Sequence, residues 1–274
     1  TAVGKDALYA NTVGANNVAV GVYALETNVD GSRNTAMGYG ALRTMEPSTA
    51  SDTYNTGVGY AALSSATTSL RNSAFGGNAL AAATTGSDNT AVGYGALDVS
   101  TTASDCTAVG SEALTRLTTG SHNTAVGYRS GEDLTTGTYN TALGKYSLQN
   151  ATSADYTIGI GYAAGDNITS ASYSTLIGSN IDAGNATDDN ANGFGYGITA
   201  VGGYFTVGIA DSDIRAANGT ASWSTVSDER VKKDIEDSTV GLAFINDLRP
   251  VTFNYRNKCD LPKEFRAYEE DSTE

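Results

Sequence analysis

Ser227 and Lys232 are the two residues of this chain whose types and spacing suit nucleophilic chemistry, and they lie in the run SDERVKKDIED that begins at Ser227. A serine hydroxyl attacks a carbonyl when a base accepts its proton, and a lysine can be that base if burial lowers its pKa. The spacing alone favours a simpler interpretation, in which Ser227 caps a helix and Lys232 is solvated.

Aromatic side chains at a fixed spacing form a second set of candidate residues. Tyr139, Tyr156 and Tyr173 follow one another at intervals of 17 residues. A second repeat position is also rich in tyrosine, at Tyr39, Tyr60, Tyr94, Tyr128 and Tyr162. Stacked, exposed tyrosines can bind the faces of sugars, but such rows more often stabilise a ladder of strands or a seam between chains.

The same 17-residue spacing governs the first 180 residues. The best copy of the repeated cassette is NTAVGYGAL, from Asn89 to Leu97, and every step is 17 residues apart from one of 21. The closing glycines are Gly4, Gly21, Gly38, Gly59, Gly76, Gly93, Gly110, Gly127, Gly144, Gly161 and Gly178. A fixed period of this kind predicts a solenoid, in which each repeat is one rung that stacks on its neighbours.

Each rung is predicted to contain a strand, a turn, a second strand and a loop. Thr90 and Val92 share one face of the first strand, and Ala91 faces the other way. We expect the cassette threonine and valine to face the interior, Gly93 to allow the turn, and the following Ala-Leu pair to form the second strand. The one long step, around Glu46 to Thr53, contains Pro47 and is expected in an outer loop.

The fold class that follows is all-β, a parallel β-roll or β-solenoid rod. Rungs about 4.8 Å apart make eleven of them roughly 50 Å long. Interior residues limited to Thr, Val, Ala, Leu and Phe75 give a thin core, which one chain buries poorly. We therefore expect several chains to pack side by side, preferably as a closed homotrimer.

The residue that opens the cassette is Asn in most copies, from Asn34 to Asn140. Its expected role is to lock a turn through side-chain hydrogen bonds to the backbone, and not to bind a ligand. Cys106 takes the same slot, so we expect a small, partly buried replacement and neither a disulfide nor a metal ligand. Zinc spacings, calcium nonapeptides and phosphate loops are absent from the sequence, so no metal and no cofactor is expected.

Charge and periodicity divide the chain into three predicted segments. Residues 1–180 are the roll of eleven repeats, 181–226 a β-rich neck that caps the last rung, and 227–274 a small α+β segment. The last segment is charge-dense, with 12 acidic and 8 basic residues among its 48. The net charge of -14 opposes binding to nucleic acid or anionic membranes, and no run approaches the roughly 20 apolar residues of a membrane span. Because Thr1 opens inside a cassette, we expect the chain to be part of a longer protein.

Two resemblances to known families bear on function. The cassettes NTAVG, NVAVG, NTAMG and NTALG resemble the β-roll repeats of YadA-like trimeric adhesin heads, and similar cassettes occur in bacteriophage tail and appendage fibres. Residues 223 to 256 resemble the start of the endosialidase-type C-terminal intramolecular chaperone, a self-cleaving domain of phage tail spikes and fibres. That resemblance implies Ser227 as the nucleophile, Lys232 as its base and Asp228 as part of the motif, with the cut between Val226 and Ser227.

The function expected from these resemblances is a structural and adhesive virion fibre, a phage tail fibre or appendage. It would be trimeric, would project a region that binds a host glycan or outer-membrane component, and would have self-cleavage as its only enzymatic activity. The main alternative is a trimeric adhesin on a bacterial cell surface. A glycan-cleaving tailspike needs two acids about 5 to 10 Å apart, whereas no acidic pair recurs with the period. An ice-binding solenoid needs outward threonines in matched pairs, whereas the cassette threonine is expected to face inward.

Overall fold

A computed structural model of the chain describes residues 1–47, 49–210 and 212–220, together with the backbone of 224–225. The chain divides into two compact units, Thr1–Val226 and Ser227–Glu274. Trp223, Val226, Ser227, Asp228 and Lys232 lie outside the described residues, as does the whole predicted α+β segment.

The described residues form strands and turns and contain no helix, which confirms the all-β prediction. The strands are β1 (Ala2–Val3), β2 (Val18–Val20), β3 (Gly31–Ser32), β4 (Thr35–Met37), β5 (Ser51–Asp52), β6 (Thr56–Val58), β7 (Ser73–Phe75), β8 (Thr90–Val92), β9 (Thr107–Val109), β10 (Thr124–Val126), β11 (Thr141–Leu143), β12 (Ile158–Ile160), β13 (Thr175–Ser179), β14 (Asp182–Ala183), β15 (Asn192–Tyr196), β16 (Thr199–Ala200), β17 (Tyr204–Ile209), β18 (Ser212–Ala217) and β19 (Ser224–Thr225).

One sheet of 15 described strands runs the length of the repeat region, and it confirms the predicted parallel solenoid. Each cassette strand pairs in parallel with the strand one repeat further on, so that Ala91 lies opposite Ala108 and Val92 opposite Val109. The parallel ladder continues beyond the eleventh cassette through β15 and β17. There β18 and then β19 pair in antiparallel fashion and cover the last parallel strand, whose open edge would otherwise be a template for further pairing.

The predicted facing of the cassette strand is wrong. Ala91, between Thr90 and Val92, is fully buried, whereas Val92 is 38% and Phe75 43% exposed. The interior is filled by alanines and by a leucine from the following turn, such as Leu97, which is also fully buried. The physical reason is that the chain turns back onto the alanine side of the strand, so Thr and Val are left on the outer side.

The predicted second strand is also wrong. Leu97 lies in a turn and has a φ of +54°, in the left-handed region that few non-glycine residues adopt. The turns of successive rungs are nevertheless hydrogen-bonded, since the N–H of Leu97 donates to the carbonyl of Ala113 at 3.0 Å. The burial of this leucine in rung after rung offsets the cost of its backbone conformation.

The long step is a loop, as predicted, but part of it is ordered against the preceding rung. The short strand β5 pairs in parallel with β3. The Val29 N–H donates to the Glu46 carboxylate at 2.6 Å, and Pro47 is buried. The rungs on either side of the insertion stay in register, with Thr35 opposite Thr56.

A column of buried asparagines joins the rungs and confirms the predicted side-chain lock. The Oδ1 of Asn72 accepts from the N–H of Asn89 at 2.9 Å, and its Nδ2 donates to the carbonyl of Gly86 at 2.8 Å. The same pair of bonds is made by Asn89, to the N–H of Cys106 and the carbonyl of Ala103. Each side chain therefore links its own rung to the next and satisfies two buried backbone groups.

Cys106 interrupts this column. The structure confirms a free, buried cysteine whose Sγ lies 3.4 Å from the carbonyl oxygen of Ser104 and 3.5 Å from that of Gly120. Burial raises the pKa of its thiol to about 11, so the thiol stays neutral and unreactive.

We predict that Cys106→Asn stabilises the solenoid by about 1 kcal/mol. The asparagine amide would donate a hydrogen bond to the carbonyl of Gly120 and accept one from the N–H of Asn123, in place of the weak contacts of the thiol. Urea unfolding should show a higher midpoint for Cys106→Asn than for the wild type, and a lower one for Cys106→Ala. An asparagine variant less stable than the alanine variant would contradict the proposed continuity of the column.

Candidate functional site: the outer face of the repeat sheet

The outer side of the sheet carries two columns of side chains, one from the first and one from the third residue of each cassette strand. We call these two columns together the outer face. The first column contains mainly threonine, as at Thr90, Thr107, Thr124 and Thr141. The second column is apolar in every rung: Val3, Val20, Met37, Val58, Phe75, Val92, Val109, Val126, Leu143, Ile160, Ile177 and Phe194.

The apolar column is partly exposed. Five of its residues are exposed, by 38% to 57%, and the other seven are half-buried; the five are Val3, Met37, Phe75, Val92 and Leu143. Neighbours in the column are brought together by the strand register. Single exposed apolar residues are common on protein surfaces, whereas a contiguous apolar patch is typical of an interaction site.

The three tyrosines singled out from the sequence lie in one stack. The rings of Tyr139 and Tyr156 are 4.9 Å apart and those of Tyr156 and Tyr173 are 5.3 Å apart, each pair within 4° of parallel. His122 extends the stack with its ring 4.6 Å from that of Tyr139. We call these four residues the aromatic column; it precedes the outer face by two residues along the chain.

The stacking limits what the aromatic column can bind. The faces of Tyr139 and Tyr156 are covered by neighbouring rings, so their edges and hydroxyls form the exposed part, about half of each side chain. A sugar that stacks on a tyrosine needs a free ring face. The geometry therefore favours the ladder or seam interpretation over a row of sugar sites.

The same repeat position is ionic in earlier rungs. Arg71 makes two 2.6 Å hydrogen bonds to the Asp88 carboxylate, and these bonds hold the pKa of Asp88 below its usual range. Arg33, in the same column, lies 2.9 Å from the carboxylate of Asp52, a residue of β5 outside the column, and Tyr54 stands between Arg33 and Arg71. The column thus changes along the solenoid from mainly charged side chains to stacked rings, while the outer face beside it stays uncharged.

Charged pairs also occupy the turns that follow the strands. Arg43 bonds the carboxylate of Glu26 at 2.6 Å, and Arg116 that of Asp133 at 2.7 Å. Both pairs join neighbouring rungs and have exposed arginines, so solvent screens the attraction and each pair contributes little to stability. Charge is therefore placed away from the outer face.

An acidic pair, Asp166 in a turn and Asp182 in β14, predicts a pH-dependent stability. Burial raises the pKa of the Asp166 carboxyl to about 6, with a further contribution from the charge and hydrogen bond of Asp182. An unfolded aspartate titrates near 3.9, so between about pH 4 and pH 6 the folded chain binds more protons than the unfolded chain, and stability falls as the pH rises.

Asp166→Asn should therefore raise the urea midpoint at pH 8 and leave it nearly unchanged at pH 3.5. We expect a gain of about 1 kcal/mol at pH 8, since the pair is partly exposed and solvent screens it. The same gain at both pH values would show that the negative charge of the Asp166 carboxylate is not its source.

The outward threonines correct one argument made from the sequence. The sequence argues against an ice-binding solenoid on the expectation that the cassette threonine faces inward, but the structure places this threonine on the outer side of the sheet. Each threonine is partnered along the strand by an apolar residue, as Thr141 is by Leu143. Matched threonine pairs are thus not formed on the outer face.

Within the described part of the chain, no group of three or more His, Cys, Asp or Glu side chains is placed to hold a metal ion. A small cavity opens where Gly131 stands in the position of the repeat leucine, between Leu114, Leu134 and Leu148. Its volume of about 10 Å³ is at the lower limit for one water molecule, and its lining is apolar. The described residues also include no helix that could cross a membrane.

Comparison with known proteins concerns the segment after the solenoid. Searches against curated proteins and against solved structures found no match. Residues 227–270 match a peptidase family described as the chaperone of endosialidase, and the match begins at the serine that the sequence singled out. The chain therefore combines a parallel β-solenoid with a segment, from Ser227 onward, that matches the chaperone of endosialidase.

Proposed function

We propose that the chain is part of a homotrimeric virion fibre, a phage tail fibre or appendage, whose C-terminal segment guides assembly and then cuts itself off. The observation that carries the proposal is the chaperone match at 227–270, directly after a repetitive solenoid. The fibre projects a region that attaches to the host surface, through a glycan or an outer-membrane component. A bacterial surface adhesin shares the solenoid, but the chaperone match favours the fibre.

The repeat itself explains why such a fibre benefits from a chaperone. Rungs with nearly the same strand sequence, such as β8, β9 and β10, present nearly the same outer surface. Chains that associate one rung out of step lose little contact, and so can be trapped in the wrong alignment. A C-terminal domain that first brings three chains together at one end fixes their alignment before the rungs stack.

The proposed cleavage uses groups of the segment itself. The Ser227 hydroxyl attacks the carbonyl carbon of Val226 while Lys232 accepts its proton, and the C–N bond breaks with a proton delivered to the Ser227 nitrogen. Water then hydrolyses the resulting ester, which leaves a carboxylate on Val226 and restores the serine hydroxyl. Asp228, next to the serine, is proposed to hold the motif in place.

Intact-chain mass spectrometry of the full-length protein tests this proposal. The wild type should give one piece that ends at Val226 and one that begins at Ser227, whereas Ser227→Ala and Lys232→Ala should stay whole. Lys233→Ala is the matched control, since it removes the adjacent lysine and should still be cut. An uncut wild type, or a Ser227→Ala chain cut at the same bond, would overturn the self-cleavage mechanism.

A further inference from the structure

The outer face lacks any charged residue over twelve consecutive rungs. Its two columns contain Thr, Ser, Val, Ile, Leu, Met, Phe and one Asn, although the chain as a whole has 46 charged residues. The strand register keeps the columns straight from β1 to β15. Such a surface is unusual for a protein face that remains in contact with water.

The outer face and its flanking columns together have the size of a stable protein interface. Twelve rungs at about 4.8 Å give a length of roughly 55 Å, and the two columns of the outer face form a strip roughly 10 Å wide, on the order of 500 Å². The flanking columns, which contain ion pairs as well as stacked rings, widen the strip to roughly 20 Å and the area to on the order of 1,000 Å², comparable with the roughly 800 Å² that each partner buries in a standard interface.

The period of the surface identifies its partner. A molecule that covers both columns in every rung needs side chains at the same 4.8 Å spacing over the same length. A second copy of this chain, aligned in parallel, has that spacing because it has the same rungs. The net charge also favours contact through this face, since copies with a net charge of -14 repel one another and associate best through a surface without charge.

We infer that the outer face packs against the outer faces of two further copies of this chain, around a common axis. This inference rests on the proposed trimeric fibre and names the surface that holds it together. Residues of the apolar column, such as Val92 and Val109, then lie at the axis opposite their own counterparts. The aromatic column lies along the seam between chains, where its exposed hydroxyls can bond a neighbour.

Cysteine cross-linking tests the contact directly. In the full-length protein, Val109→Cys should give disulfide-linked chains under mild oxidation, because the inferred packing brings counterparts at the axis close to the roughly 7 Å between Cα atoms that a disulfide allows. Arg116→Cys, on an exposed turn of the same rung, is the matched control and should stay unlinked. Linkage at position 116 without linkage at position 109 would overturn the inference.

A charge variant separates this inference from the proposed function. Val92→Glu combined with Val109→Glu should convert the assembly to single chains in native mass spectrometry, with the β-sheet circular dichroism signal retained. Arg116→Glu should leave the chain number unchanged. A wild type of single chains contradicts the fibre proposal itself. A trimeric wild type whose double variant also stays trimeric contradicts only the assignment of the outer face.

Discussion

Gly93→Ala lowers the free energy of unfolding by at least about 3 kcal/mol and locally disrupts the ladder. Gly93 has a φ of +135°, a conformation that is essentially restricted to glycine and costs another residue about 1–3 kcal/mol. A Cβ built on Gly93 lies 2.4 Å from the carbonyl oxygen of Gly110. Both atoms belong to the backbone, so no rotamer change relieves the contact. The rungs must separate, which strains the 2.7 Å bond from the Gly110 N–H to the carbonyl of Val92.

Gly40→Ala is the matched control for this prediction. Gly40 has a φ of +64°, and nothing lies within 4 Å of a Cβ built on it. Ala61 occupies the same repeat position at a φ of +53°, so alanine fits there at a cost of about 1–2 kcal/mol. Urea or thermal unfolding of the two variants should differ widely. Equal losses at the two positions would show that the close approach of successive rungs is not what requires glycine.

Asn89→Ala is expected to lower the free energy of unfolding by about 2 to 4 kcal/mol. The substitution leaves two buried backbone groups without partners, the N–H of Cys106 and the carbonyl of Ala103. Each unsatisfied buried group costs about 1–3 kcal/mol. The lost packing of the side chain adds to this, since Asn89 is 1% exposed.

Asn89→Thr is the conservative comparison. The chain itself uses threonine in this slot at Thr157, whose hydroxyl donates to the carbonyl of Ala171 at 3.1 Å. A threonine at position 89 should therefore keep one of the two bonds and give a stability between those of the wild type and the alanine variant. Urea midpoints in any other order would contradict the role of the asparagine column.

The period of the sequence predicts the ladder and its register well. A 17-residue spacing of the closing glycine leaves one way to align successive strands, and the structure has that alignment. The facing of the strands could not be predicted in the same way, because Ala91 and the pair Thr90 and Val92 satisfy a two-residue period equally. Hydrophobicity alone favours burial of the larger valine. In the structure the narrow interior of the rung is instead filled by the alanine of the strand and by the side chain of Leu97 from the turn.

The left-handed backbone of the leucine turn could have been predicted from the sequence, because glycine replaces the repeat leucine in two rungs. Gly131 and Gly165 replace the repeat leucine in two rungs, and both have a φ in the left-handed region, near +60° and +68°. A glycine that alternates with a bulky residue in a repeat indicates a backbone conformation that glycine adopts freely. The leucines tolerate it because they are buried in the core.

The candidate site was only partly predictable. The spacing of Tyr139, Tyr156 and Tyr173 was enough to predict that they meet, but not that their ring faces cover one another. The outer face was missed altogether, because its residues were assigned to the interior. The roles of Ser227 and Lys232 rest on the family resemblance, since their spacing alone fits an ordinary helix start.

Native mass spectrometry of the full-length wild-type protein measures the number of chains and their cleavage together. We expect an assembly of three chains, each ending at Val226, with the segment from Ser227 onward released. A single chain would contradict both the trimeric fibre and the outer-face contact. Three chains that still carry residues 227–274 would contradict self-cleavage and leave the assembly in place.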